Sequence, residues 1–100
     1  MFRSTTTIVA STLTFSTVED YQEVIKTEFN HPVYVNRLGI FTADNKLLNR
    51  TCNLTDNQTL TLVMDWDSEA SFNEFYIPTD QEINDDIEPE FVRTVTTETI

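Results

Sequence analysis

The feature that most constrains the fold of this chain is a strict alternation near its middle. The stretch from Thr59 to Trp66 sets an apolar series against a more polar one: Leu60, Leu62, Met64 and Trp66 against Thr59, Thr61, Val63 and Asp65. Successive side chains of a β-strand point to opposite faces of a sheet, so this alternation predicts a strand with one face in the core. The other face, which carries Val63 among Thr residues, is only partly polar.

Three further segments have the composition of strands. Residues 5–15, 47–54 and 91–99 are rich in β-branched residues or alternate between apolar and polar positions, and both patterns are typical of strands. Asp44-Asn45 precedes the second of these segments, and residues 55–58 connect it to the next strand. Asn and Asp favour turns, so the sequence predicts a hairpin between the two central strands.

The first helix is indicated by a capping signal. Ser16 and Glu19 have the form of a capping box, in which each side chain binds the backbone amide of the other residue. Apolar side chains then recur on one helical face as far as Phe29. Pro32 is expected to end this helix, because proline removes a backbone donor and clashes with the preceding turn.

A second helix and one ambiguous segment complete the pattern. Asp67 or Ser68 can cap a helix whose apolar stripe lies over residues 72–76, and Pro78 is expected to end it. Residues 33–43 fit either a strand or a short helix with Pro32 in its first turn, and we favour the helix.

The resulting order is strand, helix, short helix, strand, strand, helix, strand, which is the ferredoxin-like βαββαβ arrangement. We therefore predict one α+β domain over residues 1–100, with an antiparallel sheet and helices on one of its faces. The opposite face is partly apolar, and leaving apolar surface in water is unfavourable. We therefore expect a homodimer in which this face is buried.

Acidic residues outnumber basic ones and are unevenly placed. The formal net charge is −11, and ten Asp or Glu lie between Asp65 and Glu90 with no Lys, Arg or His among them. Nucleic acids and anionic membranes attract Lys and Arg, so neither is an expected partner. These carboxylates repel one another, so the stretch should be electrostatically strained. It is either a binding site for a basic protein or solvated surface that keeps the protein dispersed. The candidate partner-binding residues are Asp80, Glu82, Asp85, Asp86 and Glu88.

Residues that carry chemistry are few. Cys52 and His31 are the only Cys and His, so an internal disulfide is impossible and a zinc site is not expected. We interpret Cys52 as a small core residue, and we expect Asp65 to face water and Asp67 to cap a helix. No metal or cofactor is predicted. The beginning of the chain lacks the apolar stretch of a signal peptide, which predicts a cytoplasmic protein.

The segment from Leu60 to Phe75 combines an apolar strand ending in Trp66 with Ser68-x-x-x-Phe72 at the start of a helix. It resembles the dimeric α+β barrel superfamily, which includes antibiotic-biosynthesis and haem-degrading monooxygenases. The resemblance implies a ferredoxin-like protomer that pairs into a barrel, and it makes Trp66 the candidate catalytic residue. The haem-degrading members use a His on the helix after this Trp, whereas this chain has no His after His31, so no haem is expected.

We interpret the chain as a small, acidic, non-catalytic binding or accessory domain that acts as a homodimer through protein–protein contacts. Its short, Asn-rich and Thr-rich sequence also resembles uncharacterised phage accessory proteins. Two alternatives remain open: a cofactor-free monooxygenase-like enzyme of the dimeric α+β barrel type, and an acidic DNA mimic that occupies a nucleic-acid-binding protein. The enzyme would need a pocket between helices and sheet, and the mimic would need carboxylates spaced like phosphates.

Overall fold

A computed structural model of the chain describes residues 1–100, except for the side chain of Asp85. In chain order, the elements are β1 (Phe2–Ala10), α1 (Val18–Val24), α2 (Pro32–Ala43), β2 (Leu47–Leu54), β3 (Thr59–Trp66), α3 (Glu69–Ile83) and β4 (Phe91–Thr99). A short 3-10 turn, Asn84–Asp86, follows α3.

The four strands form one sheet in the order β2-β3-β1-β4, and every neighbouring pair is antiparallel. This arrangement confirms the ferredoxin-like fold predicted from the element order. The bounds of β2, β3 and β4 agree with the sequence prediction. Their agreement follows from the period of two, because one face of each strand is packed and the alternation is visible along the chain.

The prediction of a first strand over residues 5–15 is wrong at both ends, because β1 covers Phe2–Ala10. Its last residue, Ala10, pairs with Phe91, which is the first residue of β4. The Ser11 amide still donates to the Glu90 carbonyl at 2.8 Å, and beyond it the chain turns away from β4. Glu90 holds the turn, since its carboxylate accepts hydrogen bonds from the backbone amides of Thr12 at 2.8 Å and Leu13 at 2.7 Å.

Helix α1 is shorter than predicted and has a different cap. Thr17, and not Ser16, is the N-cap residue, and its side-chain oxygen accepts a hydrogen bond from the Asp20 amide. The helix ends at Val24 instead of reaching residue 29. The Asn30 side chain explains this end, because its amide nitrogen donates to the free Gln22 carbonyl at 2.8 Å and so satisfies the last turn.

Helix α2 confirms the short helix favoured for the ambiguous segment. Pro32 occupies its first turn, where its missing N–H costs nothing. His31 is the N-cap, and its Nδ1 accepts a hydrogen bond from the Val33 amide at 3.2 Å. The other ring nitrogen, Nε2, lies 2.7 Å from Asp86 Oδ2. His31 therefore joins the start of α2 to the turn that follows α3.

Helix α3 corrects two expectations. Ser68, rather than Asp67, is its N-cap and accepts from the Ser71 amide at 3.2 Å. Pro78 does not end the helix, which continues to Ile83. Burial explains the continuation, because Thr79 and Ile83 are 1% and 0% exposed. Burying a side chain such as that of Ile83 contributes about 1.5–3 kcal/mol, which offsets much of the cost of an internal proline.

The core lies between the helices and one face of the sheet. Its larger cluster is aromatic: Phe2, Tyr34, Phe41, Trp66, Phe72 and Phe75 pack together with aliphatic neighbours. A second cluster surrounds Tyr21, whose hydroxyl lies 3.0 Å from the Ile8 carbonyl and 2.7 Å from the Gln58 carbonyl. Burial raises the pKa of Tyr21 to about 12, so this hydroxyl stays protonated and fastens α1 to the sheet.

Cys52, interpreted as a small core residue, is half-buried and packs against both clusters. Burial raises the pKa of its thiol above the ordinary value, although a hydrogen bond with Gln22 works in the opposite direction. A thiol with a raised pKa is a weak nucleophile at neutral pH.

Candidate functional site

The sheet face opposite the helices, here called the outer face, is rich in Thr and Val. The strand register places 15 residues on it: Arg3, Thr5, Thr7, Val9, Asn49, Thr51, Asn53, Thr59, Thr61, Val63, Asp65, Val92, Thr94, Thr96 and Glu98. Seven of these residues are Thr and three are Val, and no glycine or proline interrupts the array. The outer face is therefore a regular, half-apolar surface.

All charges on the outer face lie at one end. Arg3 is paired in register with Asp65 on one side and with Glu98 on the other. Arg3 Nε and Nη2 donate to the two Asp65 carboxylate oxygens at 2.7 and 3.1 Å. These hydrogen bonds hold the pKa of Asp65 below its ordinary value. The expectation that Asp65 faces water is therefore wrong: it is only 7% exposed, because Arg3 covers it.

The opposite end of the outer face exposes valine side chains. Val9 and Val92 stand directly across from one another in the β1–β4 ladder and are 39% and 58% exposed. Thr59 lies level with this valine pair, opposite Val9, and the other Thr residues lie between the pair and the charged end. The outer face thus runs from an ion pair, through a hydroxyl-rich and methyl-rich centre, to an apolar end.

The candidate catalytic residue Trp66 lies on the opposite side of the sheet, inside the core. It is 0% exposed and packs against the rings of Phe41, Phe72 and Phe75 at centroid distances of 6.3, 5.8 and 5.1 Å. Its Nε1 donates to the Ser4 hydroxyl at 3.0 Å. These contacts give Trp66 a packing role and satisfy its only polar atom.

Three of the five candidate partner-binding acids are engaged within the protein. Asp80 accepts a hydrogen bond from Arg93 Nη1 at 2.8 Å, Glu82 from Arg37 Nη2 at 2.7 Å, and Asp86 lies 2.7 Å from His31. Elsewhere in the acidic stretch, Lys46 pairs with Glu74 and Arg3 with Asp65. The cations that the stretch lacks are therefore supplied by other segments, which reduces the self-repulsion expected from its sequence.

The other two candidates differ from these three. Glu88 is partly buried, and its Oε1 is buried without a hydrogen-bond partner among the described residues. The side chain of Asp85 lies outside the described part of the structure, so its role in partner binding stays a prediction. Asp80 and Glu82 both lie on α3 but bind different arginines, while Asp86 and Glu88 lie beyond the end of the helix.

A buried charge cluster, which the sequence did not reveal, lies between the helices and β4. Glu28 is 1% exposed and forms an ion pair with Arg93, and the Thr27 hydroxyl donates to the other oxygen of the same carboxylate. Arg93 also binds Asp80 on α3. Burial alone would lower the pKa of Arg93, but the Glu28 carboxylate and Asp80 raise it above its ordinary value. Arg93 therefore stays charged and ties the loop after α1 to α3.

The only sequence signal for this cluster was the position of Arg93. It stands in phase with Phe91 and Val95, on the face of β4 that turns inward. Glu28 lies between α1 and α2, where the helix expected as far as Phe29 has already ended, so its burial comes from its contact with Arg93 and not from the predicted helix. The space beside the cluster that is open to a water-sized sphere is about 10 Å³. This volume is room for about one water molecule.

The described residues contain neither a metal-binding cluster nor a membrane-spanning helix. No group of three or more His, Cys, Asp or Glu among them is arranged to hold a metal ion. Within the same residues, no helix is both long enough and apolar enough to cross a membrane.

Similarity to known proteins is visible in the structure and not in the sequence. No protein-family model and no curated protein matches the chain. A dimeric ferredoxin-like protein from an uncultured marine organism superposes with a TM-score of 0.61 and 13% identity, over 98% of this chain and 91% of that one. A putative antibiotic biosynthesis monooxygenase from Deinococcus radiodurans superposes with a TM-score of 0.57 and 10% identity, over 100% and 92%. These likenesses place the chain in the ferredoxin-like fold class.

Proposed function

We propose that the protein is a non-catalytic binding domain that works as a homodimer, with the outer faces of two copies packed together. The composition of the outer face carries this proposal. In a chain with a net charge of −11, the 12 outer-face residues beyond Arg3, Asp65 and Glu98 include no charged side chain. A sheet face exposed to water is expected to carry polar and charged residues, whereas Thr methyl groups and Val side chains suit contact with a second sheet.

The size of the outer face is sufficient for such an interface. Strands lie about 4.8 Å apart and rise about 3.3 Å per residue, so four strands make a face of roughly 19 by 27 Å, on the order of 500 Å². Two such faces bury about 1,000 Å², which is the size at which a specific interface becomes plausible. The similar protein from an uncultured marine organism is described as dimeric, which supports the same assembly here.

The packing under the helices supports a non-catalytic role. The centre of the space between the helices and the sheet is filled by the aromatic cluster around Trp66, whose members are 8% exposed or less. The open space between a helix and the sheet is a groove at the sheet margin, between α2 and β2. The small cavity beside Glu28 has room for about one water molecule. The oxygenase alternative rests on the likeness of folds, and a fold does not define an activity.

The ion pairs bear on the remaining alternatives. A DNA mimic, or an acidic face for a basic protein, needs carboxylates that are available to the partner. Asp80, Glu82 and Asp86 are already bound to Arg93, Arg37 and His31. A basic partner would have to compete with these contacts. We therefore favour dimerisation over partner binding by the acidic stretch as the function of the protein.

The test is the mass in solution of two matched variants. Val92→Arg puts a charge in the apolar end of the outer face, whereas Val35→Arg puts the same charge on α2, where Val35 is 48% exposed. Wild type and Val35→Arg should have the mass of a dimer, about 23 kDa, which is twice the 11.6 kDa of one chain. Val92→Arg should shift toward the monomer. Sedimentation at tens of micromolar that gives a monomeric wild type would contradict the proposal.

A further inference from the structure

A groove lies between α2 and the edge strand β2, at the margin of the sheet. Its volume is about 610 Å³, and its eight lining residues include Leu38, Gly39, Leu47, Leu48, Asn49 and Arg50. Ligand sites in proteins have volumes of about 300–1,000 Å³ and are mostly apolar with a few polar groups. Four lining residues belong to α2, and Asn49 is the lining residue that the groove shares with the outer face.

The groove is lined by apolar side chains, and one of them, Leu48, lies at a bulge of β2. Leu47 pairs with Trp66, and Asn49 with the preceding residue of β3, so Leu48 is an extra residue at a bulge of β2. Bulges redirect side chains at the edges of sheets. Leu48 remains 47% exposed although it lies beside other leucines. An apolar chain laid in the groove would cover this exposed leucine.

One charge lies in the groove, and it is positive. None of the eight lining residues is acidic, although the chain contains 17 Asp and Glu. Arg50 lies over the Phe29 ring at 5.1 Å, and its Nη2 makes a weak 3.4 Å hydrogen bond to the Glu28 carbonyl. Its Nε has no hydrogen-bond partner among the described residues, but it is buried and not open to a ligand. Because Arg50 lines the groove, an anion there would be bound by its terminal nitrogens, which make one weak hydrogen bond among the described residues.

Gly39 borders the open space of the groove. A Cβ atom placed on Gly39 would meet no heavy atom within 4 Å. Glycine is unfavourable inside a helix, and every residue except proline would favour α2 more. Gly39 has an α-helical backbone without positive φ, so the backbone does not require glycine there.

We propose that the groove binds a small amphipathic carboxylate, of the class of medium-chain aliphatic acids. The apolar chain lies along Leu38, Leu47 and Leu48, and the carboxylate accepts hydrogen bonds from Arg50. The bidentate geometry of guanidinium and carboxylate makes this pairing the strongest available to an apolar ligand with one charge. The net negative charge of the protein opposes the ligand at long range, so binding should tighten moderately as salt is raised.

The probe is decanoate, with decanol as its uncharged counterpart, measured by calorimetry on the full chain. Gly39→Leu fills the groove, and Gly39→Ala is its control, because both remove the glycine but only leucine occupies the space. Arg50→Met removes the charge while keeping a long apolar side chain. Thermal unfolding of each variant shows whether the fold is retained, and both Gly39 variants should be at least as stable as wild type.

The proposal predicts saturable binding of decanoate by wild type and Gly39→Ala, loss of binding in Gly39→Leu, and at least a roughly ten-fold weaker affinity in Arg50→Met. Absence of saturable binding to wild type would overturn it. Equal affinity for decanol and decanoate would overturn the role of Arg50. If Gly39→Leu instead changed the mass of the protein in solution, the groove would belong to an interface between copies and not to a ligand. A monomeric Val92→Arg that still bound decanoate would separate this inference from the proposed dimer.

Discussion

The two faces of the sheet are built from neighbouring residues of the same strands, yet they differ sharply. On β1, Thr6 faces the helices and is 4% exposed, whereas its neighbours Thr5 and Thr7 face outward and are half-buried. The inner face contacts aromatic rings and the buried Glu28–Arg93 pair. The outer face has one ion pair at its end, between Arg3 and Asp65. Identical residues thus acquire different roles from the side of the sheet on which they lie.

The ion pairs on the two faces of the sheet differ in their exposure to water. The Glu28 carboxylate is 1% exposed and depends on Arg93 for charge compensation. The Arg3 side chain is 37% exposed, so water can replace much of what Asp65 provides. A broken pair is costly where the remaining charge is sealed from water and mild where it is not. Breaking the inner pair should therefore lower the free energy of unfolding more than breaking the outer pair.

The largest expected effect tests whether the inner face carries the stability of the fold. Trp66→Ala should lower the free energy of unfolding by about 3–5 kcal/mol, because a buried aromatic side chain is lost and a cavity remains. Thr61→Ala, on the outer face, removes only a hydroxyl and a methyl group and should lower the same quantity by about 1 kcal/mol or less per protomer. Urea unfolding at a fixed protein concentration measures both. Similar losses for the two variants would break the comparison.

The second test removes the cation of the inner pair. Arg93→Met should cost about 3 kcal/mol, because it leaves Glu28 as a buried carboxylate without its partner. Combining it with Glu28→Leu should recover much of this loss, since neither charge is then buried alone. Asp65→Asn, which breaks the outer pair and leaves the 37% exposed Arg3 as the remaining charge, should cost clearly less. Chemical unfolding of these three variants gives the values, and an Asp65→Asn loss as large as that of Arg93→Met would refute the distinction.

A smaller loss of stability is expected when the N-cap of α2, His31, is changed. His31→Ala should lower stability by about 1 kcal/mol, because the Val33 amide loses its N-cap acceptor. His31→Asn is the control, since asparagine is a good N-cap but cannot reach Asp86 in the same way. If His31→Asn were as unstable as His31→Ala, the contact with Asp86 would matter more than the cap. Thermal unfolding near neutral pH distinguishes the two.

The smallest expected effect is a pH dependence at the outer face. The Arg3 hydrogen bond lowers the pKa of Asp65 in the folded protein. A carboxyl with a lowered folded pKa contributes stability above its unfolded pKa, ordinarily 3.8, and this contribution disappears as pH falls through the folded pKa. The difference in unfolding free energy between wild type and Asp65→Asn should therefore shrink from pH 7 to pH 2. A difference that stayed constant would show that ionised Asp65 contributes nothing.

The sequence by itself determined the elements whose cause is local. The alternation of β3 and the patterns of β2 and β4 gave their bounds, and the order of elements gave the ferredoxin-like fold. A strand with one packed face repeats every second residue, so this information lies within a few positions. Pro32 and His31 likewise start α2 through contacts within one turn. The half-apolar character of the outer face was also visible in the sequence, because Thr59, Thr61, Val63 and Asp65 alternate with the core residues of β3.

Only the tertiary structure decided where distant segments meet. β1 ends at Ala10 because β4 begins at Phe91, and α3 passes through Pro78 because Thr79 and Ile83 find places in the core. The acidic stretch looked unpaired along the chain, yet Arg93 and Arg37 reach Asp80 and Glu82 from β4 and α2. Glu28 is buried because Arg93, far along the chain, compensates its charge. Coulombic and packing energies depend on distance in space, and a local sequence pattern contains no record of that distance.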